Sequence, residues 1–228
     1  MIDILFLDLD DTILDFHKAE AIAIRKTIAS FGVEPTDEVC ALYSRINKAH
    51  WEMLERKELT RDQVLVGRFE MLFRQLGVEV DPADCAKRYE NNLSIGHYFL
   101  PGAQEALEHL SKKYRLFLAS NGTAKVQAGR LKSANISHYF ERIFVSQEIG
   151  ANKPDIAYFN GCFAQIPDFA PERTMIVGDS LTSDILGGKN AGIATCWVAP
   201  ITAQPRPDII PDYRIESISQ LEALLESL

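Results

Sequence analysis

The sequence predicts an α/β fold: a doubly wound parallel sheet, interrupted near its start by an α-helical insertion. Three observations predict it. From about residue 100 onward, short β-branched and apolar runs alternate with helical stretches, the pattern of a parallel sheet with crossover helices. Those runs end in polar residues, at the edge where such folds keep their sites. Between residues 17 and 96 no strand-like run with clear turn signals occurs, and apolar positions recur three, four and seven apart.

Ile2-Asp3-Ile4-Leu5-Phe6-Leu7 reads as a buried first strand running into the acidic loop Asp8-Leu9-Asp10-Asp11-Thr12. Trp51, Leu54, Val64, Leu65, Phe69, Leu72, Phe73 and Leu76, with Arg and Glu between them, describe amphipathic helices packed on one another. Thr60 with Gln63 fits a capping box that opens one of them. Leu100-Pro101-Gly102 marks the return to the α/β part, so the sequence predicts a core of residues 1–16 and 97–228 and a helical cap of residues 17–96. Four further strands follow: Tyr114–Ala119, Arg142–Val145, Thr174–Val177 and Ala194–Val198. Gly192 fits the C-terminus of the helix Ile185–Ala191. The proline-bearing stretch Pro200–Pro211 reads as an irregular loop, followed by a short strand and a helix over Ser219–Leu228.

Composition narrows the function classes. With 228 residues, 46% hydrophobic and 25% charged, the chain is an ordinary globular one and not a disordered tail. No apolar run approaches the roughly 18–20 residues that cross a bilayer, and no basic leader precedes the first strand, so a cytoplasmic protein without a membrane partner is expected. Cys40, Cys85, Cys162 and Cys196 lie far apart without a C-x-x-C pair and read as reduced thiols. A net charge of −8 disfavours a nucleic-acid polymer, whose binding needs a concentrated basic face. A small phosphorylated molecule remains compatible if a metal and one or two placed cations offset the local repulsion.

Four motifs carry chemistry. Asp8-x-Asp10-x-Thr12 sets two carboxylates at the end of an otherwise apolar strand; such a pair persists when a cation neutralises it or one member keeps its proton. Gly178-Asp179-Ser180-x-x-x-Asp184 follows another apolar strand, and oxygen ligands from two strand ends suit Mg²⁺. Ser120, in Ala119-Ser120-Asn121-Gly122-Thr123, brings a hydroxyl and backbone amides to a helix start, a place that grips phosphate oxygens. Lys153 precedes Pro154 at the start of another helix. Each motif alone also reads as an acidic turn, a helix cap, strand-to-helix punctuation or a solvated lysine. Together, in this order and each at the end of its element, they argue against coincidence.

This four-part arrangement resembles the haloacid dehalogenase-like (HAD) hydrolases from Ile2 to about Val198, with a Rossmann-like core and the helical insertion as a cap. Ile46-Asn47-Lys48-Ala49-His50-Trp51, Arg68-Phe69-Glu70, Gly150-Ala151-Asn152-Lys153-Pro154, Ser183–Gly192 and Cys196-Trp197 resemble, within that family, the bacterial pyrimidine 5′-nucleotidases. The resemblance implies a phosphomonoester hydrolase acting on a nucleoside monophosphate, as a monomer or homodimer. It implies Asp8 as nucleophile and Asp10 as general acid and then base. Asp8, the Asp10 carbonyl, Asp179 and Asp184 would hold Mg²⁺, or Mn²⁺ in its place, and Ser120, Asn121 and Lys153 would hold the phosphoryl oxygens. Phe16, His17 and Trp51 are candidate substrate contacts. Trp51 also reads as helix-packing core, and His17 as an exposed helix-start residue.

Other readings stay open on the residues alone. A phosphatase or mutase acting on sugar phosphates would keep every core residue. A haloalkanoate dehalogenase would need neither Asp10 nor a metal. A non-enzymatic phospho-acceptor domain of the response-regulator type would place its Asp after the third strand and lack the cap, whereas Asp8 ends the first.

Overall fold

The structure, a computed structural model, describes residues 2–228. Six parallel strands form one sheet: β1 (Ile4–Leu7), β2 (Arg115–Ser120), β3 (Arg142–Val145), β4 (Thr174–Gly178), β5 (Ala194–Val198) and β6 (Tyr213–Ile215). Their spatial order is β3-β2-β1-β4-β5-β6, the doubly wound arrangement. Register places Leu7 beside Leu118 on one side and Val177 on the other, so the loops after β1, β2 and β4 emerge together. The chain winds outward from β1 to β3, then returns to the opposite side of β1 to begin β4. Ligand sites of open α/β sheets lie at such a reversal, beyond the carboxyl ends of the strands.

Side-chain alternation gives the sheet two apolar faces. Leu5, Leu7, Leu116, Leu118, Met175 and Val177 pack on one side. There they meet α5 (Ala103–Lys113), α6 (Ala124–Ala134) and α10 (Leu221–Glu226) through Leu107, Leu131 and Leu225. Ile4, Phe6, Phe117, Ala119, Phe144 and Ile176 pack on the other, against Tyr158, Phe159 and Cys162 of α8 (Ile156–Phe163). Two short helices also belong to this α/β part, α7 (Ser146–Ile149) and α9 (Leu186–Ala191).

Residues 16–93 form four helices with their own apolar centre: α1 (Phe16–Ala29), α2 (Asp37–Glu55), α3 (Arg61–Leu76) and α4 (Pro82–Leu93). Asp15, Thr36, Thr60 and Asp81 cap their N-termini with side-chain oxygens, and Thr60 with Gln63 closes the expected capping box. Tyr43, Phe69 and Tyr89 pack together at the centre with ring centroids 5.2–5.6 Å apart, the first two stacked and Tyr89 tilted or edge-on to both. The two chain crossings that join this block to the sheet run side by side. Leu14 bridges Phe99, the Asp15 amide donates to the Tyr98 carbonyl at 2.8 Å, and the Leu100 amide donates to Ile13 at 3.0 Å.

Three sequence expectations shift. The second strand begins at Arg115, because Tyr114 closes α5, and it extends to Ser120. The C-terminal helix is shorter than expected, Leu221–Glu226 after a single 3₁₀ turn at Ile218–Gln220. Asp184 lies not at the start of an α-helix but in a π-helical turn, Leu181–Ile185, ahead of α9; such turns recur at functional sites. All four cysteines are buried and free, as expected.

Candidate active site

Asp8 leaves β1, with its amide bonded to the Val177 carbonyl at 3.0 Å, and enters a pocket that the neighbouring strand ends also reach. Carboxylate oxygens of Asp8, Asp179 and Asp184 all lie within 4.8 Å of one another. Lys153 Nζ, 1% exposed, enters from the segment after α7 and donates to Asp8 Oδ1 at 2.7 Å, Asp184 Oδ1 at 2.6 Å and the Ala119 carbonyl at 2.6 Å. All three of its N–H groups are thereby engaged. Gly178 is required by this packing: a Cβ there would sit 2.2 Å from Asp184 Oδ2.

The electrostatics of the site suit a bound cation. Ionised together, the three carboxylates would exceed the one ammonium by two negative charges. Burial pushes the Asp8 carboxyl up to about 8; Lys153 opposes that shift, and Asp184 and Asp10 add to it. Burial, with Asp184 and Asp8 nearby, holds Asp179 well above the usual carboxylate range. Burial works against charge on Lys153, yet Asp184 and Asp8 raise its pKa on balance. A hard divalent ion takes oxygen donors of this kind and would offset their negative charge, so the residues present fit one.

Ser120, 1% exposed, accepts from the Gly122 amide at 3.1 Å and from Gln127 Nε2 at 2.8 Å. With both lone pairs taken, its own O–H remains to donate. Asn121 does not turn its side chain to the pocket. Its Nδ2 donates to the Lys153 carbonyl at 2.9 Å and to Ser183 Oγ at 3.2 Å, and its Oδ1 accepts from the Lys153 amide at 2.9 Å. That side chain fixes the lysine segment, leaving the Asn121 backbone as the part able to face a phosphate.

Asp10 is held by residues that the sequence did not flag. Gln127 Nε2 donates to Asp10 Oδ2 at 2.7 Å, and the fully buried Arg130 bonds Asp10 Oδ1. Arg130 Nε also donates to the Gly96 carbonyl, at 3.0 Å, beside the returning crossing. Gln127 and Arg130 lie three residues apart on α6, on one helix face. In the sequence alone that spacing is indistinguishable from a solvated helix side.

The pocket opens into a cavity of about 520 Å³ between the strand ends and the four-helix block. Phe16, His17 and Trp51 all line it. Trp51 is therefore not simply packed core; it is half-buried on the cavity wall, 5.6 Å from the Arg61 guanidinium. His17 is exposed and faces Asp11 at 3.4 Å. Arg61, also unforeseen, ties the helical block to the sheet loops. It donates to the carbonyls of Asn121 and Gly122 at 3.0 Å each, and to Ser146 Oγ and Asn152 Oδ1 at 2.6 Å each. Thr182 Oγ1 adds a bond to Glu55 at 2.9 Å.

A family model described as haloacid dehalogenase-like hydrolase matches residues 4–198, most of the chain. The chain belongs to the haloacid dehalogenase-like hydrolases. Within that family it is 36% identical over 218 residues to pyrimidine 5′-nucleotidase PynA of Streptococcus pneumoniae, covering 95% of this chain and 92% of PynA. It is 30% identical over 223 residues to pyrimidine 5′-nucleotidase YjjG of Escherichia coli, covering 98% of this chain and 97% of YjjG. The crystal structure of the HAD-hydrolase YfnB from Bacillus subtilis, bound to magnesium and described as revealing interdomain movement, superposes with a TM-score of 0.93 at 38% identity, covering 98% of both chains. The six-stranded parallel sheet with flanking helices is thus the fold of a HAD hydrolase, and the chain is an enzyme of that class. No helix among the described residues is long and apolar enough to cross a membrane.

Proposed function

We propose that the protein is a Mg²⁺-dependent 5′-nucleotidase that hydrolyses pyrimidine nucleoside monophosphates through a phosphoryl-aspartate at Asp8. The observation that carries this reading is the set of buried Asp8, Lys153 and Asp184 with half-buried Asp179 at the reversal of the sheet, opening into one cavity roofed by helices. Similarity to two pyrimidine 5′-nucleotidases over more than nine-tenths of each chain supports the choice of substrate.

In this reading residues 17–96 are a cap over a core of residues 1–16 and 97–228. Asp8 attacks phosphorus, the bond from phosphorus to the ester oxygen breaks, and Asp10 gives its proton to the departing nucleoside oxygen. Water then attacks the phosphoryl group, Asp10 takes up its proton, and the Asp8–phosphorus bond breaks to release inorganic phosphate. Ser120 donates to a non-bridging oxygen, and Lys153 offsets the charge of Asp8 and Asp184. For Lys153 to reach the phosphate as well, one of its three present bonds must exchange. Gln127 and Arg130 orient the Asp10 carboxyl. Asp8, Asp179, Asp184 and the Asp10 carbonyl would hold Mg²⁺, or Mn²⁺, which when bound neutralises the carboxylates and lets a phosphate dianion approach them. Phe16, His17 and Trp51 contact the leaving nucleoside from the cavity wall.

Phosphate release from nucleoside monophosphates, sugar phosphates and an aryl phosphate, with Mg²⁺ and then with EDTA, tests the reading. Metal-dependent release led by pyrimidine monophosphates is expected, with EDTA lowering it at least about 100-fold. Release led by sugar phosphates would keep the chemistry and sink the nucleotidase assignment; full activity in EDTA would remove the metal.

A further inference from the structure

The cavity roof carries buried polarity that the catalytic set does not use. Ser44, Lys48, Trp51 and Glu55 recur at intervals of three and four along α2, Asn47 lies next to Lys48, and all five line the cavity. On the same helix Tyr43 and Ile46 turn into the apolar centre of the block. A helix of this amphipathic kind ordinarily turns its polar side to bulk water. Here that side faces a cavity.

Among the charged and amide side chains that the helical block contributes to the lining, Glu20, Asn47 and Arg68 are almost fully buried, at 4%, 2% and 3% exposed. Asn47 Nδ2 donates to Glu20 Oε1 at 2.7 Å, and Asn47 Oδ1 accepts from Arg68 Nη1 at 2.8 Å. Ser44 Oγ donates to Glu20 Oε2 at 2.7 Å. The carboxylate and the guanidinium are therefore joined through an amide and do not form a direct pair. Were the only task to tie α1, α2 and α3 together, direct pairing would satisfy both charges at lower electrostatic cost. Arg68 spends Nε on the Leu65 carbonyl, at 3.3 Å, and one Nη1 proton on Asn47; Nη2 makes no hydrogen bond among the described residues. Beside it, 4.9 Å from the guanidinium, lies the ring of Tyr89, fully buried, on the cavity wall, with its hydroxyl unpartnered. An unpartnered hydroxyl at this depth marks a place where a ligand completes the hydrogen bonding.

We propose that Glu20, Asn47 and Arg68, with the Tyr89 hydroxyl, form the subsite that recognises the base of the leaving nucleoside. The chemistry it selects is a flat, uncharged ring presenting a carbonyl oxygen beside an N–H, as uracil and thymine do. Arg68 donates to the carbonyl, and a lone pair of Glu20 accepts from the N–H. One cation and one anion in the subsite suit a neutral group, while Glu52, Glu55 and Glu90 on the same wall repel a second phosphate. A cavity of about 520 Å³ falls within the roughly 300–1,000 Å³ that encloses a ligand of this size.

The subsite rests on the nucleotidase reading, and the test separates the two. The quantity measured is the ratio of kcat/KM for uridine 5′-monophosphate to that for ribose 5-phosphate, which lacks the base. In the unaltered enzyme the ratio should be well above one; a ratio near one overturns the nucleotidase reading and the subsite together. In Arg68→Met the ratio should fall at least about 10-fold, because the base's hydrogen bonds are lost and the remaining groups go unpaired. Glu20→Gln, which keeps the shape and the bond to Asn47, should lower the ratio in the same direction and decides the matter if Arg68→Met does not fold. A high ratio in the unaltered enzyme that stays within about 2-fold in the folded variants, the two substrates declining together, makes the network a tie between helices and overturns the subsite alone.

Discussion

Asp8→Asn is expected to lower kcat by at least about 10⁴-fold while leaving a folded protein. An amide of the same shape keeps an oxygen for Lys153 but cannot attack phosphorus. Its effect on the metal-free protein should be unusual for a change in a buried residue: the melting temperature should hold or rise. The sign follows from the site itself. Burial pushes the Asp8 carboxyl up to about 8, so its ionised form opposes folding near neutral pH, and a neutral isostere removes that repulsion from Asp184 and Asp10. Thermal denaturation in EDTA and turnover in Mg²⁺, measured on the same preparation, check both halves. Retained turnover would remove Asp8 as nucleophile.

Lys153→Met is expected to damage both stability and rate. Its ammonium lies between two buried carboxylates and also satisfies the Ala119 carbonyl, so a thioether there leaves three acceptors without donors. Breaking a buried ion pair by removing one partner costs about 3–5 kcal/mol, which in a chain of this size lowers the melting temperature by about 10 °C. Added Mg²⁺ should recover part of that loss, since it supplies charge to the same carboxylates. kcat should fall at least about 10³-fold and stay low with Mg²⁺ present, because the lysine also stabilises charge on the transferring group. A variant as stable as the parent without metal would contradict the charge balance described for the site.

Three of the four motifs were legible in the sequence because each ends an apolar strand that a parallel sheet must gather with the others, while Lys153 stands just ahead of a helix. Asp8 and Asp179 follow β1 and β4, Ser120 ends β2, and strand pairing alone brings them together. Residues that act from helices were not legible in that way. Gln127 and Arg130 sit at ordinary helical spacing, and only the docking of α6 turns them onto Asp10. Arg61 directly follows the capping Thr60 and reads as a solvated first-turn residue until the helical block meets the sheet loops. Asn47 and Arg68 lie within segments whose resemblance to the nucleotidases was visible, yet their bond joins residues 21 positions apart on different helices. Trp51 shows the limit of periodicity, since an apolar position on a helix faces a core or a cavity with the same spacing.

The central claim, a phosphoryl group carried by Asp8, is tested most directly by trapping it. The enzyme is mixed with excess substrate and Mg²⁺, quenched in acid during turnover and reduced with borohydride, which converts an acyl phosphate to an alcohol. Peptide mass analysis should then find homoserine at position 8, and no other aspartate reduced. Steady phosphate release with position 8 unreduced, or with the reduction at Asp10, Asp179 or Asp184 instead, would contradict it.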